Sequence, residues 1–422
     1  MYSKSSWSKS LYLYNEQRSQ TTSENNPDLV IVTGTRELQG PRPSMEDAAS
    51  IMMDLEAAGR DLVAREIDCN HDHSFFCAVF DGHKGPFVSR FAAHSVPVKL
   101  LESQYLDTDP ALAMRDALLK VDEKILECYE DPHLRQQFDA GSTCTSVMLK
   151  KGILYCANIG DSRSVLCRNG HPIDLSIDQK PSRTSERLRI TRLGGQIHPS
   201  LVNSIPFGPD RVWPGGLALS RALGDFDIKK SQGAHIKGLL ISSEPELREI
   251  PLHETDDFII IGCDGIWDVF TSQDAVSFVT DHLPIAAAMA YAQANDEDID
   301  MWFIPDSNAI VRGSKEEVSY YGANVVPMKL LPPEVEDDMP ASFWECVAGL
   351  LAELLIKYAI ILYTNDNVTA TIVLFKKKGR PLIHPRGACH FIPNQEHGND
   401  SLDVKAAMYV HRELDPAFND LS

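Results

Sequence analysis

Apolar positions along this chain come in unbroken runs of strand length, separated by short polar punctuation. Such runs stand at 29–35 ("LVIVTGT"), 74–80 ("SFFCAVF"), 144–160, 164–175, 257–263 ("DFIIIGC") and 367–375 ("NVTATIVLF"). Apolar residues on successive rather than alternate positions imply strands covered on both faces, as in stacked sheets with helices outside. Asn169-Gly170, between two apolar pairs, predicts a two-residue hairpin turn, and Lys150-Lys151-Gly152 predicts another.

Helical spacing replaces these runs at 87–103, where Pro97 predicts a kink, and at 111–130. It returns at 184–195, stopped by Gly194-Gly195, at 271–283 behind a Ser272 cap, and at 341–363. The last is apolar enough to suggest a membrane span, but Glu353 and Lys357 interrupt it. Trp344, Val347, Leu351, Leu354, Tyr358 and Leu362 recur on one helical face, which reads as a buried amphipathic helix. Between 284 and 340 the periodicity fails, so this stretch reads as an insertion. Residues 1–28 are polar and read as a mobile arm, and 379–422 form a C-terminal extension, leaving one domain over 29–378.

Charge narrows the chemistry. The chain of 422 residues has 40 Lys plus Arg against 60 Asp plus Glu, a net charge of −20. That opposes a nucleic-acid or anionic-membrane partner and leaves carboxylates free for hard cations. Nine scattered cysteines without a Cys-x-x-Cys pair argue against a disulfide framework or a structural zinc site. The expected compartment is intracellular, cytoplasm or nucleus, with the Ser-rich N-terminus a weak organelle-targeting signal. No coiled-coil heptads appear, which favours a monomer.

Several acidic motifs share one placement: Asp at a strand end or beside a turn. They are "RPSMEDA" (Arg42, Glu46, Asp47), "AVFDGH" (Asp81), "NIGDSR" (Asp161), "IIGCDGIWD" (Asp264, Asp268) and "TNDN" (Asp366). One Asp after a strand is ordinary turn chemistry, but "FFCAVFDG" and "FIIIGCDG" deliver carboxylates from two buried strands in the same way. If those strands are sheet neighbours the carboxylates converge at one edge, where they need a cation or protons. An oxygen-only set favours Mg²⁺ or Mn²⁺ over Zn²⁺. The competing reading is a set of unrelated turn aspartates.

These motifs, with "AGSTCTSVML" (140–149) and "LALSRALGDFDIK" (217–229), closely resemble the metal-dependent protein serine/threonine phosphatases of type 2C, in the family's order from about residue 30 to 376. The resemblance implies an α+β fold, a central antiparallel β-sandwich of two sheets flanked by α-helices. It implies phosphoprotein substrates and two Mg²⁺ or Mn²⁺ ions, with a third, weaker site. By the same resemblance Asp81, the Gly82 carbonyl, Asp264 and Asp366 are direct ligands, and Glu46 and Asp47 hold metal or its waters. Arg42 grips phosphate and His83 is the general acid. Asp161 and Asp268 sit at the additional ion, although Asp268 beside Trp267 also reads as a backbone hydrogen-bonding residue.

Arg221 and Asp225 read as a structural ion pair or loop anchor. Lys84 departs from the small residue the family usually carries after Asp-Gly-His. The segment after the 184–195 helix corresponds to the family's variable flap. Two rival functions remain: a pseudophosphatase that binds phosphoproteins without turnover, and another two-metal hydrolase such as a nuclease. The acidic composition disfavours the nuclease.

Overall fold

A computed structural model describes residues 21–23, 26–54, 74–231, 233, 235–294, 338–377, 379–380 and 382. In chain order its elements begin with β1 (Thr21–Ser23), β2 (Asn26–Leu38), β3 (Ala48–Met52), β4 (Phe75–Phe80) and β5 (Gly82–His83). Helices α1 (Phe87–Leu101), α2 (Pro110–Glu130) and α3 (Arg135–Phe138) follow. Then come β6 (Gly141–Ser142), β7 (Cys144–Lys150), β8 (Ile153–Ile159), β9 (Arg163–Arg168) and β10 (His171–Asp174). Helix α4 (Thr184–Leu193) leads to the hairpin β11 (Gln196–Val202) and β12 (Ile205–Trp213), then β13 (Leu223–Gly224) and α5 (Phe226–Lys230). The chain closes with β14 (Glu246–Pro251), β15 (Asp256–Gly262), α6 (Asp264–Trp267), α7 (Ser272–Ala294), α8 (Ala341–Ile361) and β16 (Val368–Lys377).

Two antiparallel sheets form the centre, a six-stranded one in the order β1-β2-β16-β15-β9-β10 and a five-stranded one in the order β14-β8-β7-β4-β3. The period of two explains why the apolar runs are unbroken. In β4, Phe76, Ala78 and Phe80 pack on the side of α1 and α2, while Phe75, Cys77 and Val79 join the layer between the sheets. In β15, Phe258 and Ile260 pack with α7 and α8, while Ile259 and Ile261 enter the same inter-sheet layer. Deleting one of these aromatics, as in Phe76→Ala, is the kind of change that costs about 3–5 kcal/mol. The architecture is the expected α+β sandwich.

Local signals act where sequence chemistry placed them. Asn169 and Gly170 both take positive φ, 52° and 76°, in the β9–β10 turn. Lys151 and Gly152 do the same at β7–β8, with φ of 51° and 74°. Gly194 ends α4 in the left-handed region, at φ 98°. Asp109 caps α2, its side chain accepting from the Leu112 N–H at 3.0 Å, and Pro110 opens the first turn.

Two boundaries differ from expectation. The supposed insertion was to begin at 284, yet α7 runs through Pro284 to Ala294. Its apolar face carries on past the proline with Ala286, Ala287 and Ala290 in the core, which outweighs the hydrogen bond that proline removes. The rest of that segment, 295–337, lies outside the described residues. At the other end β1 and β2 occupy positions inside the expected arm, Thr21 pairing with Ile31 and Thr22 with Val30. Most of the C-terminal extension also lies outside the described residues. Among the described residues no helix is long and apolar enough to cross a membrane, and the described cysteines are free thiols.

Candidate metal centre

Registers decide where the acidic motifs meet. Strands β4 and β8 run parallel, each antiparallel to β7 between them, so Asp81 and Asp161 leave the same end of the five-stranded sheet. Strand β15 ends at Gly262, two residues before Asp264, where its antiparallel neighbour β16 begins after Asp366. Strand β2 ends there too, Leu38 lying opposite Val368, so Arg42 and Glu46 emerge at the same end. The condition under which the sequence has the carboxylates converge, that β4 and β15 are sheet neighbours, is not met. They instead belong to opposing sheets, and the carboxylates converge across the sandwich.

Carboxylate oxygens of Asp81, Asp161 and Asp264 all lie within 4.8 Å of one another. At that separation two full charges repel by on the order of 3 kcal/mol per pair at an effective dielectric of about 20. Three such pairs rival the whole stability of a domain. Burial first, then the charges of Asp264, Asp47, Asp161 and Asp366, push Asp81 well above the usual carboxylate range. Asp264 is raised likewise by burial and by Asp161, Asp366 and Asp268. Asp161 is pushed up to about 6, mostly by burial, with Lys180 opposing the shift.

One further observation separates a cation site from a knot of protonated acids. Asp264 Oδ1 is buried without a hydrogen-bond partner among the described residues. An oxygen-only set with an unpartnered buried lone pair fits a hard divalent cation.

Backbone contacts hold this set in place. The Asp81 N–H donates to Thr143 Oγ1 at 3.1 Å, and the Thr143 N–H donates to the Asp81 carbonyl at 2.9 Å. Thr143 Oγ1 lies 2.7 Å from Ser162 Oγ, which ties "AGSTC" to "GDSR". Trp267 Nε1 donates to the Gly262 and Arg163 carbonyls at 2.9 and 3.1 Å, pinning the turn that presents Asp264. Gly82 is required for a reason sequence alone does not show: a Cβ there would fall 2.3 Å from the Glu46 carbonyl oxygen.

The remaining candidates surround the trio. Asp366 is not one of the three; its Oδ2 accepts from Arg42 Nη2 at 2.5 Å and its Oδ1 from the Asn367 N–H at 2.8 Å. Arg42 Nε donates to the Asn365 carbonyl at 2.8 Å, so the guanidinium rests on this strand entry. Glu46 accepts from Ser44 Oγ and the Gly85 N–H at 2.8 and 3.0 Å. Asp47 is buried, accepts from Thr369 Oγ1 at 2.7 Å, and burial pushes it up to about 6. Asp268 is exposed and bonds Lys180 Nζ at 2.9 Å.

A small sheet, β13-β6-β5, joins three motifs directly, with Gly141 opposite both His83 and Gly224. It sets His83 Nε2 2.7 Å from Asp225 Oδ2. Burial pulls the imidazole down, but the charge and hydrogen bond of Asp225 overcome it and hold His83 above the usual histidine range. Arg221 and Asp225, which read from sequence as a structural ion pair or loop anchor, have separate partners. Arg221 grips Glu186 at 2.7 Å, while Asp225 turns to His83 and lies 3.5 Å from Lys84 Nζ. Asp225 and Lys180 are therefore the site residues that sequence reading missed. Neither "LGD" nor "DQKP" carries a local signal that points to the site, because the partners of both residues lie far away in the sequence.

Comparison with known proteins agrees with this geometry. The family model described as Protein phosphatase 2C matches residues 32–297. The chain is 33% identical over 280 residues to "Probable protein phosphatase 2C 4" of Paramecium tetraurelia, covering 64% of this chain and 84% of that one. It is 35% identical over 259 residues to "Protein phosphatase 2C homolog 2" of Aspergillus fumigatus, covering 61% of this chain but only 57% of that one. Against several such relatives it thus spans little more than half their length. In fold it is similar to a serine-threonine phosphatase 2C from Toxoplasma gondii, at a TM-score of 0.54 and 20% identity over 85% of this chain and 98% of that one.

Proposed function

The chain belongs to the protein phosphatase 2C family, and from that premise we propose that it hydrolyses phosphoserine and phosphothreonine in proteins. The observation that carries this reading is the convergence of Asp81, Asp161 and Asp264, with one buried Asp264 oxygen left unpartnered. Asp81, the Gly82 carbonyl, Asp264 and Asp366 would hold two divalent cations, Mg²⁺ or Mn²⁺, assisted by Glu46 and Asp47. Asp161 and Asp268 would serve an additional one. Such ions, when bound, supply a water acidified for in-line attack on phosphorus and positive charge for the phosphoryl oxygens.

The protein's own groups do the rest. Arg42 offers a planar fork suited to two phosphate oxygens, on a side chain exposed enough to swing toward substrate. Its contacts strengthen as charge shifts onto those oxygens in the transition state. His83, whose hold on a proton Asp225 strengthens, gives its proton to the departing serine or threonine oxygen, which leaves poorly as an alkoxide. No phospho-enzyme cysteine is needed.

Phosphate release from a phosphoserine peptide should require Mn²⁺ or Mg²⁺ and stop with chelator. Asp81→Asn should abolish it while circular dichroism stays native. Phosphopeptide binding without turnover at any metal concentration would sink the enzyme reading and favour a pseudophosphatase.

A further inference from the structure

Lys180 has no place in the mechanism above, yet its ammonium stands at the edge of the acidic cluster. Nζ lies 2.9 Å from Asp268 Oδ1 and 3.6 Å from Asp161 Oδ2, bridging a carboxylate from each sheet's end. Asp161 is buried and belongs to the converging trio, so Lys180 touches the cluster itself.

The loop under Lys180 is fixed. Gln179 is fully buried; its Oε1 accepts from the Gly160 N–H at 2.7 Å and its Nε2 donates to the Asn158 carbonyl at 3.1 Å. Its backbone N–H donates to the Gly160 carbonyl at 3.0 Å, and its carbonyl accepts from the Ser220 N–H at 3.1 Å. The Arg183 N–H then closes a turn onto the Lys180 carbonyl at 3.0 Å. The base of the side chain is locked to the end of β8, while the side chain itself is partly exposed. A flexible point charge on a rigid base is suited to occupying an acidic pair and to leaving it.

We propose that Lys180 is the resident counter-cation of the Asp161–Asp268 pair, and that an additional divalent ion binds there only by displacing it. This rests on the metal-centre reading, and it makes the weakness of the additional site a property of a side chain. An ammonium and a dication cannot share the same two carboxylates, since their mutual repulsion at a few ångströms is worth about a tenfold change in affinity or more.

The test is calorimetric titration of the full chain with Mn²⁺, with paramagnetic resonance counting free ion. Wild type should show a tight class and a weak class. Lys180→Met, which keeps the stem and removes the charge, should tighten the weak class about tenfold and leave the tight class in place. Lys180→Arg should behave as wild type, and Asp268→Asn added to Lys180→Met should remove the gain. Lys180→Gln serves as a second neutral variant if the methionine does not fold.

An unchanged weak class in both neutral variants overturns the proposal and spares the metal centre. Equal tightening in Lys84→Met, whose ammonium sits on Asp225 and Asp227 instead, also overturns it, because the effect would then be general charge. Absence of any tight class in wild type overturns both this proposal and the reading beneath it.

Discussion

His83 and Asp225, 142 positions apart in the chain, meet at 2.7 Å through Nε2 and Oδ2, with the carboxylate side chain fully buried. Asp225 takes left-handed backbone, at φ 52°, which disfavours most side chains and calls for compensation. The compensation is visible: its N–H donates to the Ala140 carbonyl, and the Gly224 N–H before it donates to the buried Asp122 at 2.8 Å. Lys229 bonds Asp122 as well, at 3.1 and 3.2 Å. Helix α2 thus braces the residue that holds the imidazole.

Asp225→Asn should therefore slow turnover of phosphoserine peptides by about ten- to a hundredfold, below the full contribution of a general acid. Aryl phosphates, whose leaving groups need no proton, should be nearly unaffected. Steady-state kcat on the two substrate kinds checks this, and equal losses on both would count against an orienting role.

Gly141 faces this pair without a side chain. A Cβ there would lie 2.3 Å from Asp225 Oδ2 and 2.4 Å from His83 Nε2. Gly141→Ala should leave a folded protein destabilised by about 1–3 kcal/mol, typical of overpacking. Its kinetic defect should match that of Asp225→Asn, and combining the two should add little, since both break one contact. Full additivity in the double variant would contradict the shared contact.

How far these relationships were legible in the sequence follows from their range. The strands of "FFCAVF" and "DFIIIGC", the Asn169-Gly170 turn and the Gly194 stop are set by neighbouring residues, and each is found as read. Which sheet a strand joins is not local: nothing in β4 or β15 says that they face each other across the sandwich rather than pair. The partner of Asp225 was hidden for the same reason, because Arg221 is near in sequence and His83 near only in space. Pro284 misled because helix length is decided by what the far turns bury. Lys180 belongs to no pattern until β8 and α6 are brought together.

The crowded carboxylates predict a metal-free protein that is held back by its own site. Asp264→Asn removes one charge from the trio and supplies donors where Asp264 Oδ1 had no partner. In chelator this variant should melt a few degrees above wild type, at about 1–2 °C per kcal/mol for a chain of this size. In saturating Mn²⁺ the order should reverse, since wild type gains binding energy that the variant has lost. Melting curves with and without metal test both halves, and a lower melting point for the variant in chelator would refute the strained-site account.

Glu186 carries the opposite sign. Buried in the first turn of α4, it accepts from Arg221 Nη2 at 2.7 Å and from Arg189 Nη2 at 2.9 Å. Burial pushes its carboxyl up, but the two guanidinium groups overcome that and hold it down to about 2, against 4.5 unperturbed. A depressed carboxylate stabilises the fold at pH values above its unfolded pKa, and that stability is lost as pH falls from about 4.5 toward about 2. The raised carboxylates of the cluster run the other way, gaining stability on protonation, so the metal-free wild type mixes two slopes. Comparing it with Glu186→Gln in chelator cancels the cluster, which both proteins share. The difference in unfolding free energy, from denaturant titrations between pH 7 and 2.5, should be large and flat above pH 5 and shrink steadily below it. A difference that stays constant down to pH 2.5 would show that the Arg189–Glu186–Arg221 contact does not depend on the ionised carboxylate.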